Sequence, residues 1–288
     1  MLASEQTPAD AVYKRFTVSK IQPGFGAEVH GITLAELDDD TFDELHDAFL
    51  RFKVLVIRDQ ESFQHKHHEA LAARFGTIQT PPVALGTIKD APGIAVIDTG
   101  EHNRPYTDFW HTDLAYKPQP AHVSILRARL LPPVGGDTLW ADMGAAYDGL
   151  PDQMKERLDG LRACNSYAKT LTEHGGPADP AKISELAKQW PPVEHPIVRT
   201  HAETGEKSIY CSTNTVTHVA GVSSQESKEI LDALFRLPFT PEYQVRLKWT
   251  PHTVGIWDNR NTLHYATADY FPERRIMERT MTVGETPF

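Results

Sequence analysis

The chain has 288 residues, 40% hydrophobic and 24% charged, a composition that suits a folded protein able to bury a substantial core. Its net charge of −10 argues against a nucleic-acid partner, because phosphate binding needs a basic face. No apolar run reaches membrane-spanning length, so no membrane partner is expected, and the opening MLASEQTPADAVYKRF lacks the apolar centre of a secretory signal. Cys164 and Cys211 are the only cysteines, and without an export signal they read as two reduced thiols in a cytoplasmic protein.

Alternation predicts strands over residues 16–22 and 27–32. Asp38, Asp39 and Asp40 then offer N-capping carboxylates to a helix carrying Phe42, Leu45 and Phe49 at helical spacing. The apolar run 53–57 reads as a buried strand, and residues 64–75 as a second helix stopped by Gly76. In that helix the cluster His65-Lys66-His67-His68 reads as a solvated face rather than a metal site. Residues 77–107 are rich in Pro, Gly and polar side chains and read as a long loop region broken by a strand at 94–97. His102 and Tyr106 read as ordinary residues of it.

Strand signals resume at 123–126, 138–140, 197–200 and 209–211. Ser223-Ser224-Gln225-Glu226 is a capping-box pattern ahead of Ile230, Leu231, Leu234 and Phe235, which predicts a helix. Further strands are expected at 245–249, 254–257 and 280–284, and Trp140 and Trp249 read as core. Many short strands with few helices suggest a mainly β sandwich or jelly roll with peripheral helices.

The chemically informative segment is Trp110-His111-Thr112-Asp113. On a strand, residues i and i+2 share a face, so His111 and Asp113 can present an imidazole and a carboxylate together. A distant His264 would complete a facial triad, which leaves metal positions open for a 2-oxoacid and dioxygen. Arg275 and Arg279, four apart, would share one face of a strand and could grip a carboxylate, although Glu273 and Glu278 stand close enough for ordinary surface pairing.

Taken in order, WHTD at 110–113, GGDTLW at 135–140, HPIVRTH at 195–201, IWDNR at 256–260, then HYA and DYFPERRIMER resemble the taurine dioxygenase (TauD/TfdA) group of Fe(II)/2-oxoglutarate-dependent dioxygenases. The resemblance runs from about Phe16 to Phe288. It implies a double-stranded β-helix, or jelly roll, as one catalytic domain over 1–288, with a variable loop region near 77–107 and a helical insertion near 143–190. It makes His111, Asp113 and His264 the catalytic iron ligands, and Trp257 a neighbour of the metal. Thr138 and Arg275 then hold the distal carboxylate of 2-oxoglutarate. Arg279 lies near cosubstrate and substrate, and Leu114 and Tyr116 join it in binding substrate. The implied reaction consumes O2 and 2-oxoglutarate, releases succinate and carbon dioxide, and hydroxylates a small anionic substrate. Related halogenases lack the carboxylate ligand, so Asp113 favours hydroxylation. A homodimer or homotetramer is implied.

The substrate loops depart from the family pattern. Where the taurine enzymes carry a sulfonate-binding histidine, Pro81 or Pro82 stands here, and Ala84, Leu171 and Thr215 stand near positions of pocket aromatics. Taurine itself is therefore not the expected substrate, whereas Arg279 favours another sulfonate, a sulfate ester or a carboxylate. Two rivals compete: a zinc hydrolase on the same His/Asp/His site, which would not need Thr138, Arg275 and Arg279 as a clamp, and a catalytically inactive jelly-roll binding module.

Overall fold

The computed structural model describes residues 13–81, 85–173 and 179–288, so Pro82 and Ala84 lie outside the described residues. Strands β1 (Thr17–Lys20) and β2 (Ala27–His30) pair as a hairpin, followed by α1 (Asp39–Phe52), β3 (Val54–Ile57) and α2 (His65–Phe75). Next come β4 (Gly86–Ile88), β5 (Ala91–Thr99), β6 (Ala121–Leu130) and β7 (Thr138–Asp142). Helices α3 (Met143–Asp148) and α4 (Asp152–Leu158), strand β8 (Arg162–Asn165), and helices α5 (Tyr167–Glu173) and α6 (Pro180–Gln189) follow. Then come β9 (Val193–Pro196), β10 (Val198–Thr200), β11 (Lys207–Ile209), β12 (Val216–Val219) and α7 (Ser224–Leu234). The chain continues through β13 (Gln244–Leu247), β14 (Val254–Asp258), β15 (Thr262–Ala266) and β16 (Arg275–Val283).

Eight strands form the main sheet in the order β1-β2-β3-β14-β6-β16-β5-β4, and β13-β7-β15 form a three-stranded sheet opposite it. Val54, Val56, Leu126, Trp257 and Met277 of the first pack with Trp140, Val245 and Leu247 of the second. On the outer face of the main sheet, Leu55, Ile57, Val123, Ile125, Val254 and Ile256 meet α1 and α2 through Phe42, Leu45, Phe49, Leu71 and Phe75. The main sheet is therefore covered on both sides, which explains why all four residues of β3 are apolar and buried. A smaller sheet, β12-β8-β9, packs with α7 through Ala163, Val216, Val219, Ile230, Leu231 and Leu234.

The helix boundaries follow the capping chemistry. Asp38 accepts a hydrogen bond from the Thr41 amide, and Ser223 from that of Glu226. Residues 85–99 depart from the expected loop: 94–97 is the middle of nine-residue β5, which pairs antiparallel with β4 and with β16. The Pro and Gly content masked a strand whose long partner, β16, lies far away in sequence. The histidine cluster is not a solvated face. His68 is fully buried, with Nε2 on the Ile125 carbonyl, and His65 bonds Glu278; only Lys66 stands exposed. Among the described residues no helix is long and apolar enough to cross a membrane.

Candidate active site

The site lies between the two facing sheets, where β14 leaves the main sheet, turns through Asn259–Asn261 and returns in the smaller one as β15. That turn is rigid. Asp258 accepts from the Arg260 guanidinium at 2.7 and 2.9 Å and from His201 at 3.0 Å, while Arg260 also reaches Glu203 at 2.6 Å. Three basic neighbours, Arg260 first, overcome the burial that would raise the Asp258 pKa and hold it well below the carboxylate range.

His264, on β15, exchanges backbone hydrogen bonds of 2.9 and 2.7 Å with His111, which ties the two histidines together at the main chain. Their rings lie 4.1 Å apart between centroids. His111 and Asp113 do not sit on a strand as the i, i+2 argument supposed. Only His111 is paired, and the chain then turns through residues 113–116, with Leu114 at φ 59°. The turn, rather than strand alternation, swings the Asp113 carboxylate alongside the imidazoles. One ligand atom each from His111, Asp113 and His264 lies within 4.8 Å of the others, close enough to hold one metal ion. All three side chains are buried.

Hydrogen bonds fix which atoms face inward. His111 Nδ1 lies 2.9 Å from the Phe109 carbonyl, so it carries the proton and Nε2 keeps its lone pair. Asp113 accepts from Arg279 Nη1 at 2.9 Å on one oxygen and from the Ser124 hydroxyl at 2.7 Å on the other. Burial alone would raise the Asp113 pKa. The Arg279 charge, with lesser help from the two histidines and Ser124, instead brings it down to about 2. Burial first, and His111 second, push His264 well below the usual histidine range, which keeps it neutral and able to ligate.

Asn259 is the residue that sequence reasoning missed. Its Nδ2 donates to Ser124 Oγ at 2.9 Å, and its Oδ1 accepts from the Asp113 amide and the Trp257 indole, both at 3.2 Å. Asn259 thus braces the Asp113 turn and Ser124 together. No spacing in the sequence signals this, because the partners come from 112–113, 124 and 257–259.

A cavity of about 580 Å³ opens on the two histidines, and Trp257, Thr138, Arg275 and Arg279 also line it. The Trp257 and His264 ring centroids are 5.0 Å apart. Arg275 and Arg279 share the inner face of β16, while Glu278 between them faces α2 and meets His65, Arg127 and Arg129. The surface pairing considered from sequence is thereby excluded for Arg275. Its side chain is 5% exposed, and its Nε and Nη2 have no hydrogen-bond partner among the described residues. Burial lowers its pKa even with Tyr270 nearby, and two buried N–H groups of a guanidinium without acceptors are costly unless an anion joins them. Thr138, which lines the same cavity, is 2% exposed. Donors of this kind could hold a carboxylate.

Tyr106 lines the same cavity together with Leu85, Val96, Ile97 and Leu126, whereas His102 lines a neighbouring groove. Leu114 and Tyr116 follow Asp113 in a separate cluster with Ala121 and Met281, Tyr116 stacking on Tyr167 at 4.2 Å. Leu171 is half-buried on α5, and the Thr215 hydroxyl bonds Asn165. Pro81 is buried. Cys211 is buried and its thiol pushed up to about 12, and neither cysteine forms a disulfide.

Residues 17–281 match the family described as taurine catabolism dioxygenase TauD, TfdA family. An alkylsulfatase of Acinetobacter baylyi is 34% identical over 94% of this chain and 86% of its own length. An alpha-ketoglutarate-dependent sulfate ester dioxygenase of Pseudomonas putida is 33% identical over 91% and 87%. The crystal structure of a taurine dioxygenase from Burkholderia xenovorans superposes with a TM-score of 0.80 at 32% identity, covering 95% of this chain and 91% of that one. AAD-2, solved with Mn(II) and N-oxalylglycine, gives 0.77 at 28% identity over 94% and 98%.

Proposed function

This chain belongs to the taurine catabolism dioxygenase TauD, TfdA family, and we propose that its 2-oxoglutarate-dependent dioxygenase activity runs on one Fe(II) held by His111, Asp113 and His264. The observation that carries this reading is the buried Arg275 guanidinium, with Nε and Nη2 unpaired, in the same cavity as Thr138 and the two histidines. A zinc hydrolase would have no use for that cation.

Iron and 2-oxoglutarate, when bound, supply oxygen activation and the oxidative decarboxylation that yields succinate and carbon dioxide. The protein's own residues do the rest. Thr138 and Arg275 anchor the distal carboxylate and so set the direction from which the oxoacid end approaches the ligand group. Ser124 and Asn259 keep Asp113 from rotating. Arg279 pairs with Asp113 and offers a cationic wall to an anionic substrate, while Leu114 and Tyr116 pack in the cluster that follows Asp113 and support the substrate side from there. Trp257, Leu126 and Met277 exclude water around the reacting groups.

The substrate is a small organic sulfonate, sulfate ester or carboxylate, and the relatives named for sulfate esters support the second class. The cavity's size, with apolar Val96, Ile97 and Leu126 in its wall, supports an apolar portion as well. Hydroxylation of a carbon bearing a sulfate oxygen would collapse to an aldehyde and sulfate. The whole chain, 1–288, forms one jelly-roll catalytic domain, with its loop region near 77–107 and helical insertion near 143–190, and acts in the cytoplasm as a homodimer or homotetramer.

The test starts from metal-free protein given Fe(II) and 2-oxoglutarate without oxygen. A visible charge-transfer band that is lost in His111→Ala and Asp113→Ala protein supports the centre, and folded, iron-loaded protein without the band overturns it. Aerobic succinate formation across sulfonates, sulfate esters and carboxylates then ranks the substrates.

A further inference from the structure

The indole N–H of Trp249 donates to the Thr138 hydroxyl at 2.9 Å. Trp249 is 6% exposed, and no other group among the described residues bonds that hydroxyl oxygen. Indole nitrogen can only donate, so one lone pair of the hydroxyl is spoken for and its hydrogen remains to be given away. A donor pointing into the oxygen also polarises the O–H bond and makes it a better donor in turn. The strand register brings this pair to the cavity: Thr138 pairs with Leu247 of β13 on one side and Ala266 of β15 on the other, and Trp249 follows two residues after Leu247. The indole lies against β14 where Gly255 has no side chain. A methyl there would come to 3.0 Å from Trp249 Cη2. Gly255 thus lets the ring lie in the plane that aims its N–H at Thr138.

We infer that Trp249, seated on Gly255, is a positioning residue that fixes the Thr138 hydroxyl as a hydrogen-bond donor beside Arg275, so that this end of the cavity selects an ionised carboxylate over an uncharged carboxamide. The inference rests on the reading of Thr138 and Arg275 as the anchor of 2-oxoglutarate. With Arg275 Nε and Nη2 also unpaired, the corner is dominated by donors and keeps a single lone pair on the Thr138 oxygen, so an amide would turn its NH2 group toward donors for the most part. A hydroxyl released from Trp249 regains its second lone pair and the freedom to rotate, and so accepts from that NH2 more readily.

The test compares binding of 2-oxoglutarate and of its 5-carboxamide, 2-oxoglutaramate, to Zn(II)-loaded protein by calorimetry, independently of turnover. Losing one hydrogen bond in Trp249→Phe should weaken 2-oxoglutarate about three- to tenfold. It should narrow the acid-over-amide preference by a similar factor, with Gly255→Ala acting in the same direction. In Thr138→Val protein the added Trp249→Phe change should have no further effect. Should Thr138→Val and Arg275→Leu leave 2-oxoglutarate binding unchanged, the anchor reading itself is wrong. Should they weaken it while the Trp249→Phe effect adds in full to that of Thr138→Val, or leaves the acid-over-amide ratio unmoved, the anchor stands and the role of Trp249 is overturned. Were Trp249→Phe not to fold, 15N-tryptophan spectra of the zinc-loaded protein decide. One indole N–H signal should shift both in Thr138→Val protein and when 2-oxoglutarate joins the wild type. No signal common to both overturns the inference.

Discussion

Truncating Ser124 to alanine would take away one of the two hydrogen bonds that orient the Asp113 carboxylate and leave the other, from Arg279, in place. Groups that orient a ligand typically contribute one to two powers of ten in metal affinity, so Fe(II) binding should fall about 10- to 100-fold in Ser124→Ala protein. An anaerobic titration followed by the 2-oxoglutarate charge-transfer band checks this, and an unchanged affinity would mean that Asp113 is oriented by Arg279 and the metal alone. Arg275→Lys tests the other end of the cavity. Lysine keeps the charge but loses the planar fork, and KM for 2-oxoglutarate should rise about 100-fold while the band at saturating cosubstrate stays. Equal losses in the band and in KM would point to a collapsed site instead.

Asp142 joins three elements: it ends β7, caps α3 by accepting from the Gly144 and Ala145 amides, and binds Lys53, which closes α1, at 2.9 Å. Lys53 and Asp142 are both buried, with half-exposed Glu206 as a second partner for the lysine at 3.4 Å. Asp142→Ala removes a helix cap and weakens the pairing of a buried cation, so unfolding free energy should drop by about 3 kcal/mol. Urea denaturation measures it, and a loss under about 1 kcal/mol would show that Glu206 suffices. The same elements mark what sequence could and could not convey. Helices α1, α2 and α7 were legible because cap and apolar period lie within one segment, as with Asp38 ahead of Phe42, Leu45 and Phe49. Strands β5 and β16 were read only in part, at 94–97 and 280–284, because their lengths are set by partners elsewhere in the chain. The three side chains that could hold a metal and both cavity arginines stood out through their motifs. Asn259, Ser124 and Trp249 did not, since an ordinary polar or core residue acquires its task only when a distant strand is laid beside it.

Over the whole molecule, acid should act through histidines away from the metal centre. His68 and His195 are buried and His122 is largely so, and desolvation, the largest cause in each, holds their pKa values down to about 3 for His68 and about 4 for His122 and His195. The unfolded chain has ordinary histidines near 6.5, so below that pH it binds protons the folded chain refuses, and stability falls as pH drops from about 6.5 toward 4. Each histidine can contribute a loss on the order of a few kcal/mol across that window. The urea midpoint should therefore decline from pH 7 to pH 5, and less steeply in His68→Gln protein; a flat midpoint would contradict the argument. The passage of the chain from β14 to β15 has a further consequence during synthesis. His264 and both cavity arginines leave the ribosome only after most of the sheet strands, and Asp113 is held by one of those arginines. A nascent chain that has not reached His264 lacks one of the three proposed ligands and both cavity arginines. The proposed oxygen chemistry therefore becomes possible only once nearly all the strands that enclose it have been made.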